Sequence, residues 1–158
     1  MDGAPPHPHP STSESYEVAY ADTDAGGIVY HARDVEMAER SRNRLLRTLG
    51  LPVAEMKACF GVLFIIREVR AVYHRPALVG DILSLTSGIV ADNAVRATWR
   101  TVIERDGTPI CDIEAQLAAY DPVQGGPCLL PQRLIERLAD APRLSAMRRG
   151  AAMKPGAA

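Results

Sequence analysis

The hydrophobic rhythm of the chain changes twice. In SYEVAY, Tyr16, Val18 and Tyr20 alternate with Ser15, Glu17 and Ala19, the period-two pattern of a half-buried strand. From Tyr30 the spacing lengthens, and Val35, Ala38, Leu45, Leu46 and Leu49 fall on one helical face interrupted by Arg42. Gly50 can close that helix and Pro52 stops it, so the pattern predicts a helix from Tyr30 to Leu49. A short helix over PVAEMKA follows, with Pro52 in its first turn. After Gly61 the strand period returns. GVLFIIREVRAVYHRPA is long, rich in β-branched and aromatic residues, and ends where Pro76 removes a ladder donor. DILSLTSGIVAD, AVRATWRTVIER and PICDIEAQLAAYDP continue the series. In the second of these Val95, Ala97, Trp99, Thr101 and Ile103 share a face, and in the third Cys111, Ile113, Ala115, Leu117 and Ala119 do. Asp92-Asn93 and Asp106-Gly107 are hairpin signals. A last helix, PQRLIERLAD, opens at Pro131.

One strand, one long helix and four strands joined mainly by tight turns make an antiparallel sheet with a helix over one face, a two-layer α+β domain. The long helix also carries Glu36, Glu39, Arg40, Arg42, Arg44 and Arg47, more charge than a fully wrapped core helix tolerates, so part of it should face a partner or a cleft. At 158 residues there is room for one sizeable core and not for two. The Pro-, His- and Ser-rich residues 1–13 read as a disordered tail, 14–140 as the domain, and 141–158 as a flexible C-terminal tail.

With 18 basic and 19 acidic side chains, no field argues for nucleic acid or an anionic membrane surface. No apolar run approaches a membrane span and the N-terminus lacks the features of a signal peptide. Three cysteines without CxxC spacing suit a reducing compartment, and a cytoplasmic location is expected.

The chemistry concentrates in YADTDAGGIVYHARD, Tyr20 to Asp34. Asp22 and Asp24 end the first strand, Gly26-Gly27 lets the backbone turn tightly, and a helix begins. A helix N-terminus offers unpaired N–H groups and partial positive charge, and so can hold an oxyanion. A carboxylate beside it supplies a base or nucleophile, which together are the local needs of acyl transfer. The structural alternative is an ordinary cap or turn. Asp24, however, is six residues before Tyr30, too far to cap that helix, and has no evident structural job. No G-x-S-x-G elbow, P-loop or G-x-G-x-x-G is present, and the four histidines form no zinc pattern. No metal or cofactor is expected.

Y-A-D-T-D-A-G-G-I-V-Y-H-A, then E-R-S-R at Glu39 to Arg42, Y-H-R-P-A from Tyr73, G-D-I-L from Gly80 and Leu130-Pro131 resemble the hotdog-fold acyl-CoA thioesterases of the 4-hydroxybenzoyl-CoA thioesterase and YbgC-type branch. The resemblance spans about Tyr16 to Leu138. It implies a long central helix wrapped by a five-stranded antiparallel sheet, and homodimers or dimers of dimers (homotetramers) with sites at the dimer interface. It also implies an acyl-CoA substrate whose coenzyme A is part of the substrate, not a cofactor. Residue by residue, it implies that Asp24 is the catalytic carboxylate and that the backbone N–H of His31 polarises the thioester carbonyl, with its imidazole also in the site. Tyr30 would line the acyl pocket, and Glu39 would brace the site. Gly27 and Asp34 complete the candidate substrate-binding set. Asp24 could attack the carbonyl to give an anhydride or activate water.

This chain departs from the branch at Asp34, usually aromatic, and at Arg44, often acidic. Asp34 could orient the His31 imidazole one helical turn away, or be a first-turn acid favoured by the helix dipole. Alternatives within reach of the fold are an acyl-thioester hydratase or dehydratase, or a non-catalytic acyl-CoA binding protein. Asp24–His31 spacing and the lack of a Phe-Pro continuation after His31 count against the first. Retention of Asp24 counts against the second.

Overall fold

The computed structural model describes residues 13–147. Strand β1 (Ser13–Glu17) is followed by a 3₁₀ turn (Tyr20–Asp22) and helix α1 (His31–Thr48). A second 3₁₀ turn (Val53–Glu55) leads into the short α2 (Met56–Phe60). Strands β2 (Leu63–Tyr73), β3 (Ile82–Asp92), β4 (Arg96–Arg105) and β5 (Thr108–Asp121) come next, then a two-residue β6 (Gly126–Pro127) and helix α3 (Gln132–Ala139). The sheet runs β1-β3-β4-β5-β2, antiparallel throughout, with β6 paired to the end of β5. Helix α1 lies across β3, β4 and β5, and the whole is the expected α+β hotdog fold.

Local chemistry sets most of these boundaries. Gly50, at φ 73°, ends α1: its N–H bonds the Arg47 carbonyl while Leu51 N–H reaches back to Leu46, the paired bonds of a Schellman motif. Asp106 and Gly107, both at positive φ, make the two-residue turn between β4 and β5. The tight-turn expectation holds for β3–β4–β5 and fails between β2 and β3. Residues 74–81 instead carry the chain across, and β2 pairs with β5 at the far edge.

Two apolar clusters fill the space under α1. The larger joins Leu45, Leu46 and Leu49 to Trp99, Leu117, Leu134 and Leu138; the other joins Met37 and Ala38 to Val18, Leu83, Ile103 and Ile113. The alternating faces of β4 and β5 point inward as expected. Tyr20 does not: β1 stops at Glu17, and Tyr20 sits in the 3₁₀ turn with 84% of its surface exposed. Arg44 ion-pairs with Glu14 of β1, which ties that edge strand to the helix.

The expectation of a flexible tail over 141–158 is corrected for 141–147. Beyond the end of β1 the edge of β3 is covered by this segment: Ile89 N–H bonds the Pro142 carbonyl, and Leu144 N–H bonds the Ile89 carbonyl. A Cβ on Gly88 would lie 2.6 Å from the Pro142 oxygen and 2.8 Å from Leu144 Cγ, so only glycine admits the crossing. Residues 148–158, and residues 1–12 of the tail expected over 1–13, lie outside the described residues; Ser13 belongs to β1. Among the described residues no helix is long and apolar enough to cross a membrane.

Candidate active site

The two aspartates of D-T-D have different jobs. Asp22 is buried, and its Oδ2 accepts hydrogen bonds from the Tyr16 hydroxyl and the Ala19 N–H, both at 2.9 Å. Its carbonyl takes the Tyr30 N–H, so Asp22 fastens the chain just before α1. Asp24, two residues on, is exposed. Its Oδ1 accepts the Gly26 N–H at 2.7 Å and its carbonyl the Gly27 N–H at 3.0 Å, with Gly27 at φ 74°. Asp24 therefore does have a structural job, closing an Asx turn, and that turn holds the carboxylate with Oδ2 uncommitted among the described residues. Bridges from Val29 to Thr23 and from Ile28 to Leu78 lock the loop against residues 77–78.

Helix α1 starts at His31 with no side-chain cap from Tyr30. The N–H groups of His31 and Ala32 have no acceptor among the described residues, which leaves donors at the positive end of an 18-residue dipole. The Tyr73 hydroxyl donates to the His31 carbonyl at 2.8 Å, and the His31 ring meets the rings of Tyr30 and Tyr73 edge-on at 4.4 and 6.5 Å. The start of α1 is thereby pinned to the end of β2.

Asp24, His31, Asp34, Tyr73, His74 and Arg75 share one cleft of about 440 Å³ whose inner wall is apolar. Asp34 retains 4% of its surface, and its Oδ1 has no hydrogen-bond partner among the described residues. Burial pushes its carboxyl up to about 6, against a small opposing pull from its own N–H. Burial, helped by the charges of Asp34 and Asp112, holds the Cys111 thiol up at about 12; this is an inert cysteine. The Tyr73 hydroxyl is also raised, by burial first and then by the charges of Cys111 and Asp34. His74 Nε2 is 3.7 Å from Asp112 Oδ2, and Arg100 grips Asp112 through two nitrogens at 2.7 and 2.9 Å.

The structure thus brings Asp24, His31 and Asp34 into one cleft. Tyr30 flanks it through the His31 ring, and Gly27 shapes the turn without lining it. Glu39 is exposed further along α1, outside the cleft, where its charge is felt by the buried Arg42. Sequence reasoning missed Tyr73 and His74 as cleft residues. Their signal was Y-H-R-P-A, read as the end of a strand and as part of the family resemblance, with no site role given to its first two residues, although Tyr73, His74 and Arg75 all line the cleft. Among the described residues no His, Cys, Asp or Glu cluster could hold a metal ion.

Residues 18–138 match the model of the thioesterase-like superfamily. An acyl-CoA thioester hydrolase YbgC from Escherichia coli O6:H1 is 29% identical over 119 residues, 75% of this chain and 88% of that protein. Among solved structures, a probable thioesterase from Bartonella henselae is similar at TM-score 0.69 and 27% identity, over 75% of this chain and 98% of that one. A 1,4-dihydroxy-2-naphthoyl-CoA thioesterase from Synechocystis aligns at TM-score 0.75 and 18% identity, over 82% and 96%, which speaks to the fold alone.

Proposed function

Because the chain belongs to the thioesterase-like superfamily and is a thioester hydrolase, we propose that it cleaves acyl-CoA substrates with the Asp24 carboxylate, against an oxyanion site at the start of α1. The observation that supports this most directly is the meeting, in one cleft, of a turn-locked carboxylate with a free oxygen and an uncapped helix N-terminus. The thioester carbonyl would sit on the His31 N–H, where the charge of the tetrahedral intermediate is stabilised by a donor that needs no reorganisation. Asp24 would then either take a proton from an attacking water or add to the carbonyl itself, giving an acyl-aspartyl anhydride that water opens. In both routes the carbon–sulfur bond breaks and coenzyme A leaves as thiolate. The imidazole of His31 and the Tyr73 hydroxyl shape the carbonyl site; Arg75 at the cleft suits a phosphate of coenzyme A.

The cleft is open in one protomer, and a second copy would close it. Strand β2 is an 11-residue edge strand with Ile65, Ile66, Val69 and Tyr73 exposed, the kind of edge that recruits another strand. Pairing β2 with β2 of a partner would continue the sheet and set the partner beside Tyr73, at the site.

Thiol release from a panel of acyl-CoAs tests the reading. Asp24→Asn keeps the side chain's shape and removes the base, so turnover should fall by about 10²–10⁴-fold with thermal stability little changed. Light scattering on the same samples should report a dimer or dimer of dimers. Absence of thiol release by the wild type on every substrate, with acyl-CoA still bound, would overturn hydrolysis in favour of a binding protein. A monomer would overturn the shared site.

A further inference from the structure

The inner wall of the cleft is built from Val29, Ala77 and Ile110, all buried and apolar, and among them lies one ionisable group. Asp34 is more than nine-tenths buried, and nothing among the described residues donates to its Oδ1. The groups whose charge it feels or shifts are already engaged or unsuited: the Tyr73 hydroxyl donates to the His31 carbonyl, and the Cys111 thiol leans on the Asp112 carbonyl. Leaving a buried carboxyl without a hydrogen bond is costly, and a purely hydrocarbon occupant of the cleft would leave that cost in place.

Resting on the thioesterase reading of this cleft, we propose that Asp34 is a specificity-determining residue whose carboxyl takes a hydrogen bond from a hydroxyl on the acyl group, so that hydroxylated acyl-CoAs are preferred to their plain counterparts. Position supports this. Asp34 stands three residues after His31, about 4.5 Å along the axis, and helical side chains lean back toward the N-terminus. A carbonyl held at the His31 N–H therefore places the near carbons of the acyl group, or the nearer positions of an aromatic ring, beside Asp34. With its carboxyl held up at about 6 by burial, the group is mostly ionised at neutral pH and serves as an acceptor. A plain alkyl or aryl group offers it nothing, and sites built this way reject the analogue that lacks the hydroxyl.

Two matched pairs test the idea: 3-hydroxybutyryl-CoA against butyryl-CoA, and 3-hydroxybenzoyl-CoA against benzoyl-CoA. The wild type should favour the hydroxylated member of at least one pair by about 10-fold or more in kcat/KM. Asp34→Leu, which is apolar and fills similar space, should bring that ratio to near one, with Asp34→Ala as the second variant should leucine not fold. A merely structural role would lower both members of a pair together and leave the ratio unchanged. A persisting ratio in both variants, or a wild-type ratio near one for both pairs, overturns the assignment while hydrolysis itself stands. Hydrolysis of none of the four while other acyl-CoAs of the panel turn over would overturn this assignment alone; no thiol release from any acyl-CoA would sink the thioesterase reading, and this inference with it.

Discussion

Residues 31–34 and residues 45–48 belong to one helix and face one sheet, yet they meet opposite surroundings. At the C-terminal end Leu45, Leu46 and Leu49 are buried against Trp99, Leu134 and Leu138, and the helix closes in a complete pair of capping bonds at Gly50. At the N-terminal end, among the described residues, the helix has no side-chain cap, its first donors are unpaired, and the buried Asp34 carries an oxygen without a partner. Between them a buried hydroxyl cluster, in which Ser87 donates to Ser41 and also hydrogen-bonds Thr101, and the buried Arg42 mark the change. The good half is not perfect either, since Trp99 Nε1 is buried without a partner among the described residues. Stability gathered at one end lets the other keep unmet donors and a desolvated carboxyl, which is where local rules are expected to fail when a site needs them to.

The comparison breaks most visibly in the stable half. Leu46 has no accessible surface, and Leu46→Ala removes its packing and leaves a cavity, for a cost of about 2–5 kcal/mol. Urea unfolding should show this as a lower midpoint with an unchanged slope, while kcat per folded molecule in the thiol assay stays near wild type. A large fall in kcat at conditions where the variant remains folded would show that the two halves are not separable.

The polar half should respond in the opposite sense. Burial raises the Asp34 carboxyl from 3.8 to about 6, so between roughly pH 4 and 6 the folded chain holds a proton that the unfolded chain has released. Stability from this group is full below the unfolded value, falls as pH rises through that window and is level above it. Asp34→Asn has no charge to bury. It should match the wild type near pH 4 and exceed it at pH 7.5 by about 2–3 kcal/mol, read from urea midpoints across the range. A gap that is absent at pH 7.5, or that widens toward acid, would contradict the burial of an ionised Asp34.

What could be read from the chain follows the range of the interactions. The span of α1, the cap at Gly50 and the Asp106-Gly107 turn are decided by neighbours a few residues apart, and all three were legible. Pairing of β2 with β5, the short β6 and the run of 141–147 along β3 are decided between residues far apart, and no local period encodes them. The site shows the same divide. D-T-D-A-G-G could be located, but which aspartate anchors and which stays free depends on Tyr16 and Ala19 reaching Asp22. Asp34 looked like a first-turn acid. Its position four residues before Ala38, which is itself four before Arg42, puts it on the buried stripe, and only the packed cleft shows that the stripe swallows a carboxyl.

The finest test of the comparison is at Gly50. Its φ of 73° is strained for any residue with a Cβ. The added atom would lie 3.0 Å from a terminal nitrogen of Arg137, the far end of a flexible side chain that can swing aside. The cost of Gly50→Ala is therefore backbone strain alone, about 1 kcal/mol, smaller than the gain predicted for Asp34→Asn. Because the Schellman bonds belong to the stable half, this loss should appear in the urea midpoint and leave the hydroxyl preference of the cleft unchanged. If Gly50→Ala instead shifted that preference, strain at one end of α1 would be reaching the other, and the division of labour along the helix would have to be given up.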